Sequence, residues 1–273
     1  MAITATPREQ RSWSLEKMPP WVGGIIGVVI IVLLWWLGSQ TLYTATHAIP
    51  TPLSVVKHYF DTADWETLKT DFGPTTTEAL WGFLWGDALA LVAAGLVLLV
   101  PQFAPVVNQV AVVSYCLPPI AIGAILVEAA PLGSSIPPIV LAALAPFFTT
   151  VVGSLVGLQA ASASSLDLVT AYGGSSLTQL RKVRLIAALP NIFAALKIAA
   201  PAAFLGAVLG EFVGGGGDNS VGVALISAQS HLQSDILWWL ALTSGAVAGL
   251  GYLIVGIVGR LVTPWSSGQG GSR

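Results

Sequence analysis

Three basic residues lie close together in a chain that is otherwise poor in charge. Arg181, Lys182 and Arg184 fall within four positions, between long apolar runs, while only 9% of all residues are charged. Such a cluster can bind acidic groups of a partner. It can also fix the orientation of a membrane protein, because basic loops tend to stay on the cytoplasmic side. The charge by itself does not separate these two interpretations.

The residues around the cluster form an amphipathic pattern. Leu177, Leu180 and Val183 are spaced three positions apart, which places them on one stripe of a helix, and the basic residues fall off that stripe. A short helix of this kind can lie on a bilayer or dock into a groove of a partner protein.

Motifs for enzymatic chemistry are weak or incomplete. The sequence has no G-x-x-x-x-G-K-[ST] phosphate loop, so we do not expect this chain to hydrolyse ATP. The run GGGD, residues 215–218, fits the G-x-G-D signature of intramembrane aspartyl proteases, but the second aspartate that such chemistry needs, in a Tyr-Asp context, is missing. The three histidines have no H-x-x-x-H spacing for zinc. We therefore expect a protein that is not an enzyme.

Acidic residues within or beside apolar runs are candidates for function, because charge is costly inside a membrane. Asp87, Glu128 and Glu211 occupy such positions. Glu211 can belong to a pathway or gate, or it can simply reach water from a helix end. Asp87 can equally form a hydrogen bond between helices, and Glu128 is predicted near the outer interface.

The composition identifies the elements that must hold these residues. The chain is 55% hydrophobic, with a mean hydropathy of +0.80, which is too apolar for the surface of a soluble domain. We predict an all-α membrane protein, with Gly153 and Gly157 marking close helix packing and Cys116 as a small buried hydrophobe without a disulfide partner. The predicted transmembrane helices are 21–38, 76–100, 105–129, 136–160, 190–212 and 236–262.

Six spans place both termini on one side of the membrane. Arg8, Arg11 and Lys17 precede the first span, so the positive-inside rule makes that side cytoplasmic. The basic cluster then falls inside as well, which is self-consistent. The predicted organisation is a cytoplasmic tail (1–20), a membrane domain (21–262) with an outer segment (39–75) and an inner loop (161–189), and a flexible tail (263–273).

Prolines within the predicted third and fourth spans suggest where a pathway could run. Pro118-Pro119 and Pro146 remove helical hydrogen bonds, which is tolerated where neighbouring groups or a cavity satisfy the freed carbonyls. Packed helix contacts are the alternative for the side chains beside them. The candidate pathway residues are Tyr115, Pro118, Pro119, Phe147, Phe148, Thr149, Thr150 and Glu211.

The stretch from residue 167 to residue 200 resembles the cytoplasmic EAA loop in permease subunits of bacterial ABC importers. That loop reads Glu-Ala-Ala, three residues, Gly, and then a basic and apolar helix that ends in Leu-Pro. Here residues 167–169, which begin with Asp167, stand at the Glu-Ala-Ala positions. Gly173 stands at the glycine position, and Leu189-Pro190 matches the closing Leu-Pro. Ile186 stands where the first proline of the closing segment often is. These departures lean towards a heterodimer over a homodimer.

Four further segments carry the same resemblance. They are similar, in order and spacing, to the family branch that imports nitrate, sulfonates, taurine and related small solutes, and with the loop they cover about two thirds of the chain. The resemblance implies a type I ABC importer permease fold. The segments read IPTPLSVVKHYF, LPPIAIGAIL, APFFTTVVGSLVGL and AVLGEFVGGGGDNSVGVALISA.

The resemblance also implies a set of partners and a place in the cell. Two permease subunits, identical or paralogous, would form the pathway in the bacterial inner membrane, with an extracytoplasmic solute-binding protein and no nucleic acid. ATP and Mg²⁺ would bind to separate ABC ATPase subunits, and no cofactor to this chain. The solute would be nitrate, a sulfonate, taurine or a pyrimidine-like compound. A self-sufficient secondary transporter is the alternative.

In this family a coupling helix of the permease enters a cleft of the ATPase, and residues 170–184 would be that helix. Gly173-Gly174 would allow a sharp turn or a close approach, because glycine tolerates positive φ. Pro190, predicted at the start of the fifth span, would fix the exit direction of the chain. The residues implied in coupling are Asp167, Thr170, Ala171, Gly173, Gly174, Ser175, Leu177, Leu180, Arg181, Arg184 and Pro190.

Overall fold

The structure is a computed structural model that describes residues 20–41 and 48–268. The described part consists of helices joined by short loops and contains no strand. Most of the predicted N-terminal tail and the last five residues of the C-terminal tail lie outside the described residues. The helices are α1 (Pro20–Thr41), α2 (Pro52–Lys57), α3 (Thr62–Leu99), α4 (Ala104–Cys116), α5 (Pro119–Ala129), α6 (Ile136–Gln159), α7 (Ala163–Ala171), α8 (Ser176–Gln179), α9 (Leu185–Phe212), α10 (Val221–Ser230) and α11 (Ser234–Val262).

Within the described residues, five helical segments are long and apolar enough to cross a membrane: α1, α3, α6, α11 and the segment that ends with α9. A sixth crossing is present if α4 and α5 count as one span bent by 88°. The predicted fold class, an all-α membrane protein of about six spans, is confirmed.

Two predicted helix starts are wrong. The second long helix begins at Thr62 instead of 76 and continues through Pro74. The fifth begins at Leu185, directly after a π turn over Leu180–Arg184, so Pro190 lies inside α9 and not in its first turn. A proline removes one hydrogen bond and crowds the preceding turn. Packing of α9 along α6 holds the helix together despite that loss.

Two predictions about the middle of the bundle are also revised. The predicted third span is not one helix, because the chain bends after Cys116 and α5 begins only at Pro119. Pro146 lies inside α6 and cannot donate a hydrogen bond there, but the helix continues to Gln159. Cys116 is exposed and not buried, because it is the last residue of α4, where the bend turns the chain away from the helix packing.

The centre of the bundle is the packing of α6 against α9 and α3. Glycines bring these helices together as the spacing of Gly153 and Gly157 predicted. A Cβ added to Gly153 would lie 2.6 Å from Cβ of Ala195, and one added to Gly206 would lie 2.6 Å from the carbonyl oxygen of Leu141. Backbones this close leave no room for larger side chains, so small residues set the helix spacing.

The bundle has two ends, which we name after the elements that lie there. The α7–α8 end holds the connection from α6 to α9, and the α10 end holds the connection from α9 to α11. α1 lies at the edge, exposed on most sides, and is attached near the α10 end. Trp35 stacks on Trp238 with ring centroids 5.3 Å apart and donates from Nε1 to the carbonyl of Pro50 at 3.0 Å.

Candidate functional site

The basic cluster lies in a helical hairpin formed by α7 and α8. Ser162 caps the start of α7 by accepting a hydrogen bond from the backbone N–H of Ser165 at 3.3 Å. Asp167 and Thr170 both lie on the exposed part of this helix. Ser175 caps the start of α8 in the same way, through the N–H of Thr178. Each helix of the hairpin therefore begins at a serine cap.

The turn between α7 and α8 requires both of its glycines. The backbone N–H of Gly173 donates to the carbonyl oxygen of Thr170 at 2.9 Å, and that of Gly174 donates to the carbonyl oxygen of Val169 at 2.8 Å. These two hydrogen bonds define a Schellman motif. Gly173 has φ +75°, and a Cβ on Gly174 would lie 2.7 Å from the carbonyl oxygen of Val169. The predicted sharp turn and close approach are both present.

A side-chain hydrogen bond fixes the two arms of the hairpin to each other. Nε2 of Gln179 donates to Oγ1 of Thr170 at 2.7 Å, and that hydroxyl in turn donates to the carbonyl of Leu166 at 3.0 Å. The chain then passes through the π turn into α9 without a loop. The hairpin is therefore rigidly connected to a membrane-spanning helix.

The hairpin presents a surface of cations and exposed apolar side chains. Arg181 and Lys182 are exposed, and neither forms a salt bridge within the described residues. Leu168, Leu177 and, at 86% exposure, Tyr172 project beside them. Leu180 and Val183 are half-buried, so only part of the predicted stripe is free. Such a mixed surface suits a partner that offers acidic groups around an apolar cleft.

A second candidate site lies where α4 and α5 bend. A groove of about 310 Å³ opens there between α4, α5, α6 and α9, and its lining includes Ser114, Tyr115 and Pro119. Tyr115 is 71% exposed, with its ring centroid 5.0 Å from that of Phe148. No charged side chain lines the groove. Its surface therefore suits an uncharged or apolar group better than an inorganic anion.

The other predicted pathway residues are distributed over several places. Pro118 is the residue directly before α5, in an extended conformation. Phe147 lines a different groove, between α3, α4 and α6, while Phe148 and Thr149 line one between α6 and α9. The structure thus brings Tyr115 together with Pro119 and Phe148, whereas Phe147 and Thr149 open onto other surfaces.

Two polar residues from the same prediction are enclosed by helices. Thr150 is fully buried and donates to Oδ1 of Asp87, which is the helix-to-helix hydrogen bond considered for Asp87. Glu211 is also fully buried and does not reach water. Glu78, which sequence reasoning missed, lies buried near it. The available signal for Glu78 was its position as an acid near the start of a predicted span.

No group of three or more His, Cys, Asp or Glu residues is placed to hold a metal ion in the part of the chain that the structure describes. The arrangement is that of an integral membrane protein with an exposed helical hairpin at one end.

Comparison with known proteins identifies that class. Residues 86–267 match the family described as "Binding-protein-dependent transport system inner membrane component". The chain belongs to this family of ABC transporter permeases. It is a multi-pass membrane protein and the permease component of a binding-protein-dependent system.

Two curated proteins are similar along most of their length. A "Probable ABC transporter permease protein" of Haemophilus influenzae is 31% identical over 217 residues, which are 78% of this chain and 84% of that protein. The "Riboflavin transport system permease protein RibX" of Chloroflexus aurantiacus is 23% identical over 270 residues, 97% of this chain and 98% of that protein. Both relatives are permeases, which agrees with the family and not with a self-sufficient carrier.

Proposed function

We propose that this protein is the permease subunit of an ATP-driven importer in a bacterial inner membrane, and that the α7–α8 hairpin docks into an ABC ATPase subunit. The observation that carries the proposal is the hairpin itself, whose fixed turn presents Arg181 and Lys182 beside exposed Tyr172 and Leu177. ATP and Mg²⁺ belong to the ATPase, and this chain binds no cofactor of its own. A second permease, identical or paralogous, completes the pathway.

The connection from the hairpin to α9 gives a mechanical route for coupling. The segment from Ser176 to Phe212 is helical over 37 residues, so its two ends lie on opposite sides of the bundle. An ATPase that closes on ATP would displace the hairpin, and the continuous helix would carry that displacement to the α10 end. In this proposal the α7–α8 end and both termini are cytoplasmic, and a solute-binding protein docks at the α10 end.

The groove at the bend of α4 and α5 supports a proposal for the solute. Its lining is apolar with the hydroxyls of Ser114 and Tyr115, and it offers no cation to nitrate, a sulfonate or taurine. A pyrimidine-like or other uncharged cyclic compound fits this chemistry better. The relative from Chloroflexus aurantiacus, named as a riboflavin permease, is in keeping with such a solute. Choice among solutes would rest largely with the solute-binding protein.

Co-purification tests the docking proposal. The full chain is co-expressed with its ATPase and extracted in detergent, as wild type, as Arg181→Glu with Leu177→Asp, and as Lys69→Glu. Lys69 is an exposed lysine near the start of α3, far along the chain from the hairpin, and serves as the matched charge reversal. We expect the hairpin variant to lose the ATPase and the control to retain it. An ATPase that stays bound to a folded hairpin variant would contradict the proposal.

Uptake into vesicles tests the solute. The assembled transporter is supplied with labelled cytosine, riboflavin, taurine or nitrate together with the solute-binding protein. We expect ATP-dependent uptake of a cyclic organic compound, reduced several-fold by Tyr115→Ala. Uptake of nitrate or taurine alone, unaffected by this substitution, would reject the assignment to the groove and leave the docking proposal intact.

A further inference from the structure

Two acidic side chains meet at the α10 end of the bundle, away from the hairpin and the groove. Glu211, on the last turn of α9, is fully buried, and its Oε2 accepts a hydrogen bond from the backbone N–H of Gly222 at 2.9 Å. Glu78, on α3, is 4% exposed. Burial of one carboxyl group is costly, and burial of two near each other is more so.

The loop that joins α9 to α10, residues 213–220, closes over these acids, and we call it the glycine loop. A Cβ built on Gly216 would lie 3.5 Å from Cγ of Glu211 and 3.6 Å from Oε1 of Glu78. Both acidic side chains therefore reach the same point beneath the loop.

Each carboxyl group leaves one buried oxygen without a donor. Oε1 of Glu211 and Oε2 of Glu78 have no hydrogen-bond partner, and neither acid forms a salt bridge among the described residues. Two neighbouring carboxylates cannot both stay ionised in such an environment, because like charges repel and desolvation penalises each of them. A proton held between them would remove one charge and supply the missing donor.

We propose that Glu78 and Glu211 form a proton-binding site, a carboxyl pair that shares one proton and in this state fixes the glycine loop to α3 and α9. The loop has its own anchors to these helices. Its first glycines form a Schellman motif, with Gly215 donating to the carbonyl of Gly210 at 3.0 Å. After the loop, the N–H of Val221 donates to Oγ1 of Thr75 on α3 at 3.1 Å.

Among the described residues, the lysines of α3 and α9 are engaged elsewhere, since Lys69 lies 3.4 Å from Glu66 and Lys197 lies over the ring of Tyr252. Asp71 on α3, Asp218 in the glycine loop and Glu128 on α5, which contacts the loop through Val127, are all acidic. α6, which contacts the loop through Pro138, and α10 carry no charged residue. Loss of the shared proton would leave two buried negative charges, which would loosen the loop from the helices.

Infrared spectroscopy of the full chain in detergent tests the site directly. A protonated carboxyl group in an apolar environment absorbs above the amide I band, where carboxylates do not. At mildly acidic pH we expect such a band in the wild-type protein. In the double variant Glu78→Gln, Glu211→Gln, the band should lose the intensity of one protonated carboxyl group. Asp87→Asn is the control for the other strongly buried acid, because it removes any absorption from Asp87 and should leave the glutamic acid band in place.

Isotope labelling gives a second readout that does not depend on a folded variant. Biosynthetic ¹³C-glutamate should shift the band of the wild-type protein and should not shift an aspartic acid signal. Loss of the shifted band on raising the pH is expected as well. A wild-type band that does not shift, or no band at all, would overturn the proposal. A decrease of two carboxyl groups in the double variant would also overturn it, since each acid would then hold its own proton.

Discussion

Oγ1 of Thr150 on α6 lies 2.5 Å from Oδ1 of Asp87 on α3, and both side chains are buried. Thr150→Val removes this hydroxyl donor and leaves the buried carboxyl group of Asp87 without a hydrogen bond. We therefore expect a loss of about 1–3 kcal/mol in the free energy of unfolding. Thr149→Val, the same change on the half-buried neighbour, is the control. Thermal unfolding in detergent measures both, and equal midpoints for the two variants would contradict the expectation.

The His58 imidazole joins two elements at the α10 end, since Nδ1 lies 2.7 Å from Asp64 and Nε2 lies 3.3 Å from Asp235. Burial by itself lowers the pKa of His58, but the hydrogen bonds to both aspartates and their negative charges outweigh it, so the pKa is raised. The folded protein thus binds this proton more tightly than the unfolded chain does.

That raised pKa predicts how stability changes with pH. The contribution is complete below the ordinary pKa of histidine, about 6.5, and is lost as pH rises through the raised value. We expect less than about 1 kcal/mol, because the pair is partly exposed to solvent. Unfolding midpoints measured as pH rises above the ordinary pKa of histidine should show this decrease in stability in the wild-type protein and not in His58→Gln. The same decrease in both proteins would assign it to other groups.

Gly206 sets the distance between α9 and α6, because an added Cβ would lie 2.6 Å from the carbonyl oxygen of Leu141. We expect Gly206→Ala to lower the free energy of unfolding by about 1–3 kcal/mol through overpacking. Gly245→Ala in α11 is the matched control, since nothing lies within 4 Å of its added Cβ. Unfolding midpoints in detergent should separate the two variants, and a neutral Gly206→Ala would show that the helices can shift apart.

Gly173 adopts φ +75° at the turn of the hairpin. A β-branched residue is strained in this conformation, at a cost of about 1–2 kcal/mol, whereas asparagine tolerates it. We therefore expect Gly173→Val to weaken co-purification of the ATPase and Gly173→Asn to retain most of it. Equal retention by both variants would mean that the ATPase does not depend on the geometry of this turn.

The sequence predicted the features that depend on local pattern. The length of the apolar runs predicted a helical membrane protein of about six spans, and the glycine pair at 173 and 174 predicted a tight turn. Both could be predicted because hydropathy and backbone freedom are properties of neighbouring residues. The resemblance of five segments predicted the family that the comparison then showed. The coupling role of the hairpin residues remains a proposal.

Only the tertiary structure decided which distant residues meet. It brought Glu78 and Glu211 to the same point beneath Gly216, enclosed Thr150 with Asp87, exposed Cys116 at the bend and carried α9 through Pro190. None of these follows from a local pattern. Each depends on how separate helices pack, and on whether a neighbouring helix can pair with a buried polar group or support a helix that has lost a hydrogen bond. The chain by itself therefore determined the class of protein, and the packing of α3, α6 and α9 determined its buried polar sites.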